Sequence, residues 1–175
     1  DHAVRSGRAR YAGVSNFNGW QTAKAAAIAC FPLVANQSEY SLLQRNAEIE
    51  LIPAIEDAGL GLMAWAPMGR GVLSGKYRGH IPADSRAANQ RLATYVEPYL
   101  EGPASSVVEA VAMAAKGLGR TALDVSLSWL LSQQGVATAV VGPRTPVQLK
   151  EILDSALAPL PPEIAQALED VSDPG

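Results

Sequence analysis

The sequence predicts an α/β fold of four strand-then-helix units, half of a (β/α)8 TIM barrel. Three observations support this. Short apolar runs alternate with longer amphipathic stretches along the whole chain. Each apolar run gives way to polar or glycine-rich residues: Ser15-Asn16, Asn36-Gln37, the loop after Trp65, and Gly142 to Arg144. Ligand sites in βα barrels lie where strands end and βα loops begin, so this repeated placement is the strongest signal in the chain.

The first strand is expected over Arg10 to Ser15, followed by an Ala-rich helix from Gly19 to Ala29 with Asn18 as N-cap. Leu33-Val34-Ala35 forms the second strand and ends in Asn36-Gln37. A helix over Asn46 to Ala58 places Ile49, Ile52 and Ile55 on one face and stops at Gly59, with Pro53 bending it or shifting its start. The third strand, Leu60 to Ala66, is apolar almost throughout, as a strand buried on both faces should be. It enters a Gly-rich loop, Pro67 to Tyr77, and then a long connection from Arg78 to Pro103 with helical pieces. Helices follow near Ala104–Gly117 and Thr121–Gln134, then a fourth strand over Val136 to Val141. A helix from Pro146 to Ala156 and a last one near Pro161-Pro162-Glu163 complete the chain.

The 175 residues suit one compact domain, and 48% hydrophobic with 18% charged residues allows a sizeable core. A net charge of -3 argues against nucleic acid as a partner. No apolar run reaches bilayer-spanning length, so no membrane partner is expected. Cys30 stands alone, which removes intrachain disulfides and points to a cytoplasmic location. With His2, His80 and Cys30 the main candidates, no metal site is expected, and no Ser-His-Asp arrangement is suggested. The chain opens Asp1-His2-Ala3-Val4 in what reads as the tail of a helix, so an upstream segment is expected.

The strand-end residues each carry two readings. Ser15-Asn16 can cap the following helix or face a ligand. Asn36-Gln37 needs partners, because a buried unpaired amide costs about 1–3 kcal/mol; a ligand carboxamide or a local turn would supply them. Trp65 is either core or a flat surface for a heteroaromatic ring. The loop Pro67 to Tyr77 holds Gly69, Gly71 and Gly75 with Arg70 and Lys76, a set in which the backbone can approach a pyrophosphate and cations can pair with it. Neither a P-loop nor a G-x-G-x-x-G spacing is present, which excludes those two phosphate cradles. Arg144 precedes a helix whose N-terminus favours an anion, while Glu151 and Arg86 are surface charges by default.

Four stretches, GVSNF (13–17), NQSEYSLLQR (36–45), LMAWAPMGRGVLSGKY (62–77) and VVGPRTPVQLKE (140–151), together resemble the aldo-keto reductases, in family order and spacing. The branch they resemble contains bacterial general reductases and potassium-channel β-subunits. The resemblance implies the C-terminal half of a barrel, residues 1–175, that binds NADP(H) and serves reduction of small-molecule aldehydes or ketones. It implies that Ser15, Asn16 and Gln37 hold the nicotinamide carboxamide and that Trp65 stacks on the nicotinamide ring. Ala66, Pro67, Met68, Gly69 and Arg70, with Lys76 beside them, match the pyrophosphate loop. Arg86, Gly142, Arg144, Gln148 and Glu151 match the group around the adenosine and its 2′-phosphate.

The chain departs from the family pattern at Ile152, where Asn is usual, and at Val141, where Pro is usual. Nothing in it matches the first-half segments that carry the family's catalytic Asp, Tyr, Lys and His. No catalytic acid is therefore assigned, since Tyr40 and Tyr77 sit in cofactor-half motifs. The expected partner is an N-terminal half of the barrel, without which the chain should be inactive. A non-catalytic NADPH-binding sensor is the alternative.

Overall fold

The structure, a computed structural model, describes residues 1–83, 85–100, 102–155 and 158–174. A short helix α1 (His2–Arg5) leads into strand β1 (Ala12–Ser15), helix α2 (Gly19–Ile28), strand β2 (Leu33–Glu39), helix α3 (Leu51–Asp57) and strand β3 (Gly61–Trp65). Helices α4 (Ala93–Val96), α5 (Pro103–Leu118) and α6 (Ala122–Ser132) precede strand β4 (Val136–Val140), and helices α7 (Pro146–Asp154) and α8 (Pro162–Ser172) follow it. The strands form one parallel sheet in the order β1-β2-β3-β4, with β1 and β4 at its edges. This is the α/β arrangement of four strand-then-helix units.

Helix boundaries follow local chemistry. Asn18 caps α2: its Oδ1 accepts from the Gln21 backbone N–H, and the Gln21 side chain accepts from the Asn18 N–H, each at 3.1 Å. Pro103 sits in the first turn of α5, where its missing N–H costs nothing, and Gly119 ends that helix with φ 65°. The helix expected over 46–58 is instead a 3-10 turn over 46–48 followed by α3. Pro53 can be accommodated only in a first turn, which moves the α-helix start to Leu51. Ile49 therefore leaves the apolar face and is 72% exposed, while Ile55 is fully buried. Helix α7 ends at Asp154; the expected end at Ala156 lies outside the described residues.

Strand β3 is buried on one face only, contrary to the expectation from its apolar run. Leu62 and Ala64 are fully buried, whereas Gly61, Met63 and Trp65 are partly exposed. Side chains alternate across a strand, and parallel register pairs share a face. Asn36, Ser38, Leu62, Ala64 and Ala139 thus face the helices. Ser15, Gln37, Glu39, Met63, Trp65, Thr138 and Val140 line the opposite face, which is at least partly exposed; there the Glu39 carboxylate lies under Arg70 and Tyr99.

The covered face seats the core, where Tyr40, Leu42, Ile55, Leu62, Leu73, Val111, Val125, Trp129, Leu130 and Leu168 pack together. Each such aliphatic side chain contributes roughly 1.5–3 kcal/mol by burial. Arg45 fastens α8 to this core: it forks onto the Glu48 carboxylate at 2.7 and 2.8 Å and donates to the Glu169 carbonyl at 2.9 Å. The Tyr40 hydroxyl donates to Glu48 at 2.6 Å, and burial together with that carboxylate pushes its pKa well above the usual phenol value. No helix is long and apolar enough to cross a membrane among the described residues.

Candidate cofactor site

The strand ends are held to one another by a short chain of polar contacts. Ser15 and Gln37 are register partners, and the Gln37 carbonyl accepts both the Ser15 hydroxyl at 3.0 Å and the Asn16 N–H at 2.9 Å. Asn16 has a left-handed backbone, φ 55°, and its Oδ1 accepts the Trp65 indole N–H at 2.9 Å. The Gln37 side-chain amide makes no hydrogen bond among the described residues and belongs to the partly exposed face. Gln37 and Trp65 therefore share one rim, as their motif positions suggested.

Asn36 and Gln37, expected to end the second strand, lie inside β2, because pairing with β3 continues through Glu39; adjacent and alike in sequence, they do different things. Asn36 is fully buried, and its amide is satisfied inside the protein by Phe17, Thr22 and Ser38. The partners that the amide pair demanded are thus internal for Asn36 and open for Gln37.

Beyond Trp65 the backbone turns sharply. Among the described residues, the non-glycine positions with positive φ are Asn16, Ala66 (50°) and Arg70 (58°), all at this rim. Such conformations cost of order 1–3 kcal/mol and persist where surroundings enforce them, commonly at functional sites. Gly69, φ 52°, is buried with its α-carbon turned to Leu43: an added Cβ would stand 2.6 Å from Leu43 Cδ1. Its glycine is thus demanded by packing within the chain.

An open cleft of about 530 Å³ follows this loop. Ala66, Pro67, Met68, Arg70, Lys76 and Arg86 line one side of the residue set; Gly142, Arg144, Gln148, Glu151 and Ile152 come from the end of β4 and from α7. Leu123 of α6 and Tyr95 of α4 complete its walls. Lys76 and Arg86 converge over Gly71, φ 95°: a Cβ there would meet Lys76 Nζ at 3.1 Å and Arg86 Nη1 at 3.7 Å. Neither cation has a carboxylate within ion-pair distance among the described residues. Arg86 Nη1 donates to the Arg70 carbonyl at 3.2 Å.

Arg70 has a different occupation. Its guanidinium forks onto Glu39 at 2.8 and 2.6 Å, donates to the Tyr95 carbonyl at 2.7 Å, and stands 4.1 Å from the Tyr95 ring centroid and 4.9 Å from that of Tyr99. Hydrogen bonding to Glu39 raises the Arg70 pKa further, and burial with the Glu39 charge pushes the Tyr99 hydroxyl up. The charge expected to meet a pyrophosphate is therefore neutralised from within. Glu39 was not singled out from sequence, although alternation from Gln37 places it on the same face two residues on. Tyr95 lay in the weakly patterned connection and left no signal.

On the far side, Thr145 caps α7 by accepting from the Gln148 N–H at 3.2 Å, and the Gln148 Oε1 accepts from the Arg144 N–H at 2.7 Å. Gln148 thus keeps its amide donors for other use. An added Cβ at Gly142 would meet nothing within 4 Å among the described residues, so packing within the chain does not require glycine there. No group of three or more His, Cys, Asp or Glu residues able to hold a metal occurs among the described residues.

The sequence model of the Aldo/keto reductase family matches residues 1–173. The chain is 35% identical over 172 residues to the uncharacterized oxidoreductase YrpG of Bacillus subtilis (strain 168), covering 96% of this chain and 50% of that protein. It is 30% identical over 156 residues to L-glyceraldehyde 3-phosphate reductase of Escherichia coli (strain K12), covering 86% and 45%. A probable voltage-gated potassium channel subunit beta of Oryza sativa subsp. japonica is 31% identical over 177 residues, covering 96% and 54%. The chain spans about half the length of these relatives. With its parallel sheet, its strand-end rim and these matches taken together, the chain belongs to the aldo/keto reductase family of oxidoreductases.

Proposed function

We propose that residues 1–175 are the cofactor-holding C-terminal half of a single (β/α)8 barrel domain in an NADP(H)-dependent, cytoplasmic reductase of aldehydes and ketones. The observation that carries this reading is the convergence of Lys76 and Arg86 over Gly71, two cations without a carboxylate partner among the described residues, in a cleft at the strand ends. Adjacent unpaired cations repel, and an anionic ligand relieves that cost. Gly142, which the chain's own packing does not require, leaves the backbone open to close approach on the opposite wall.

In this reading Lys76, Arg86 and Arg144 bind the phosphates, and the backbone of Ala66, Pro67, Met68, Gly69 and Arg70 shapes the wall beside them. Gln148 and Glu151 flank the adenosine, with Ile152 adding an apolar surface. Gln37, Ser15 and Asn16 orient the carboxamide, and Trp65 bounds the nicotinamide plane. The bound cofactor supplies the hydride. The proton for the carbonyl oxygen comes from a residue of the N-terminal half, whose strands close the barrel between the edge strands β1 and β4; without that half this chain is inactive.

The test is direct. Titration of the chain joined to its N-terminal half should show NADPH binding and aldehyde-dependent NADPH oxidation, whereas the isolated 1–175 chain should show no oxidation. Turnover by the isolated chain overturns the division of labour; failure of the joined protein to bind NADPH overturns the cofactor reading. The potassium-channel β-subunit relative favours one second reading, an NADPH-binding sensor that reports redox state to a partner. A Tyr and Lys set in the N-terminal half decides for the enzyme, and its loss for the sensor.

A further inference from the structure

The segment Ser15–Asn18 is held at every residue by groups distant in the chain or in the next helix. Ser15 and Asn16 hang on the Gln37 carbonyl, the Asn16 side chain holds the Trp65 indole, and the Asn18 carbonyl accepts from Thr22 Oγ1 at 2.7 Å. The Phe17 carbonyl accepts from Asn36 Nδ2 at 2.9 Å. The same Nδ2 donates to Thr22 Oγ1 at 2.8 Å, and Asn36 Oδ1 accepts from Ser38 Oγ at 2.8 Å. The orientation of the amide is unambiguous. The Phe17 carbonyl can only accept, and Thr22 has given its proton to Asn18, so the nitrogen of Asn36 must face both.

This cluster lies on the helix-covered face of the sheet, where Asn36 is fully buried and an apolar residue would pack without the cost of desolvating an amide. Its polar groups go instead to the carbonyl next to Asn16, whose left-handed backbone is one that asparagine tolerates better than other non-glycine residues but does not adopt by default. We propose that Asn36 is a positioning residue: through the Phe17 carbonyl it holds Asn16 in its left-handed conformation and so sets the Asn16–Trp65 arrangement at the nicotinamide end of the site. It touches no ligand itself. This rests on the cofactor reading above.

Two ligands separate the ends of the site: NADPH, and 2′,5′-ADP, which lacks the nicotinamide. In the protein joined to its N-terminal half, Asn36→Leu should raise the Kd for NADPH about tenfold, the scale set by one lost buried hydrogen-bond donor, and leave that for 2′,5′-ADP within about twofold. Thr22→Val, which keeps shape and removes both the acceptor for Asn36 and the donor to the Asn18 carbonyl, should raise the NADPH Kd about threefold with the same selectivity. Trp fluorescence should report the changed Trp65 environment in both variants. Equal shifts for the two ligands, or none for NADPH in a folded variant, overturn the positioning role while leaving the cofactor reading intact. If Asn36→Leu does not fold, Thr22→Val decides by the same pair of ligands. If the unsubstituted protein binds 2′,5′-ADP but not NADPH, both proposals fail.

Discussion

Arg70 and Lys76 stand six residues apart on one glycine-rich loop and look interchangeable as charges offered to a phosphate. In the structure they are not alike. Arg70 is forked onto Glu39 between two tyrosine rings, with side-chain exposures of 16% and 12% for the pair. Lys76 has no acidic partner among the described residues and shares its position over Gly71 with Arg86. One cation braces the loop against the sheet and α4; the other leaves its charge available. A carboxylate 31 residues upstream makes that difference.

This contrast predicts that the two kinds of cation separate stability from binding. Glu39→Ala should have the largest effect, because it strands a largely buried guanidinium: unfolding in urea should lose about 3 kcal/mol. NADPH affinity should fall by less than threefold, about 0.7 kcal/mol. Lys76→Met and Arg86→Met should do the reverse, each weakening NADPH about tenfold in a titration, or about 1.4 kcal/mol, while the urea midpoint stays put. A loss of stability in Lys76→Met equal to that in Glu39→Ala would erase the distinction. Tyr95→Ala removes the closer ring from Arg70 and should cost about 1 kcal/mol in thermal or urea unfolding. Smallest of all, Ile49→Asn, at the exposed position just after the 3-10 turn, should change stability by less than about 0.5 kcal/mol; a loss near 2 kcal/mol would mean that Ile49 packs against another part of the protein.

Legibility varied with the range of the interaction. Strand and helix positions were close to those read from pattern, because caps such as Asn18 and Thr145 and stops such as Gly119 act within three or four residues. The one broken helix, at 46–58, turned on which turn Pro53 would occupy, a choice that local pattern left open. The candidate site was legible as a set of strand ends. The state of each side chain was not: Asn36 is internal and Gln37 open, although both are amides in the same strand, and that strand runs two residues past them to Glu39. The apolar run of β3 likewise read as buried on both faces, since composition does not say what covers a face.

Periodicity, capping residues and glycine placement by themselves determined the order of the elements and the location of the rim, because these act through neighbours in the chain. Which polar groups are satisfied, which cation is neutralised and which sheet face is open were decided by tertiary structure alone. Hydrogen bonds and ion pairs of about 3 Å are made by residues that the fold brings together from 14 to 124 positions apart, and no local rule fixes their register.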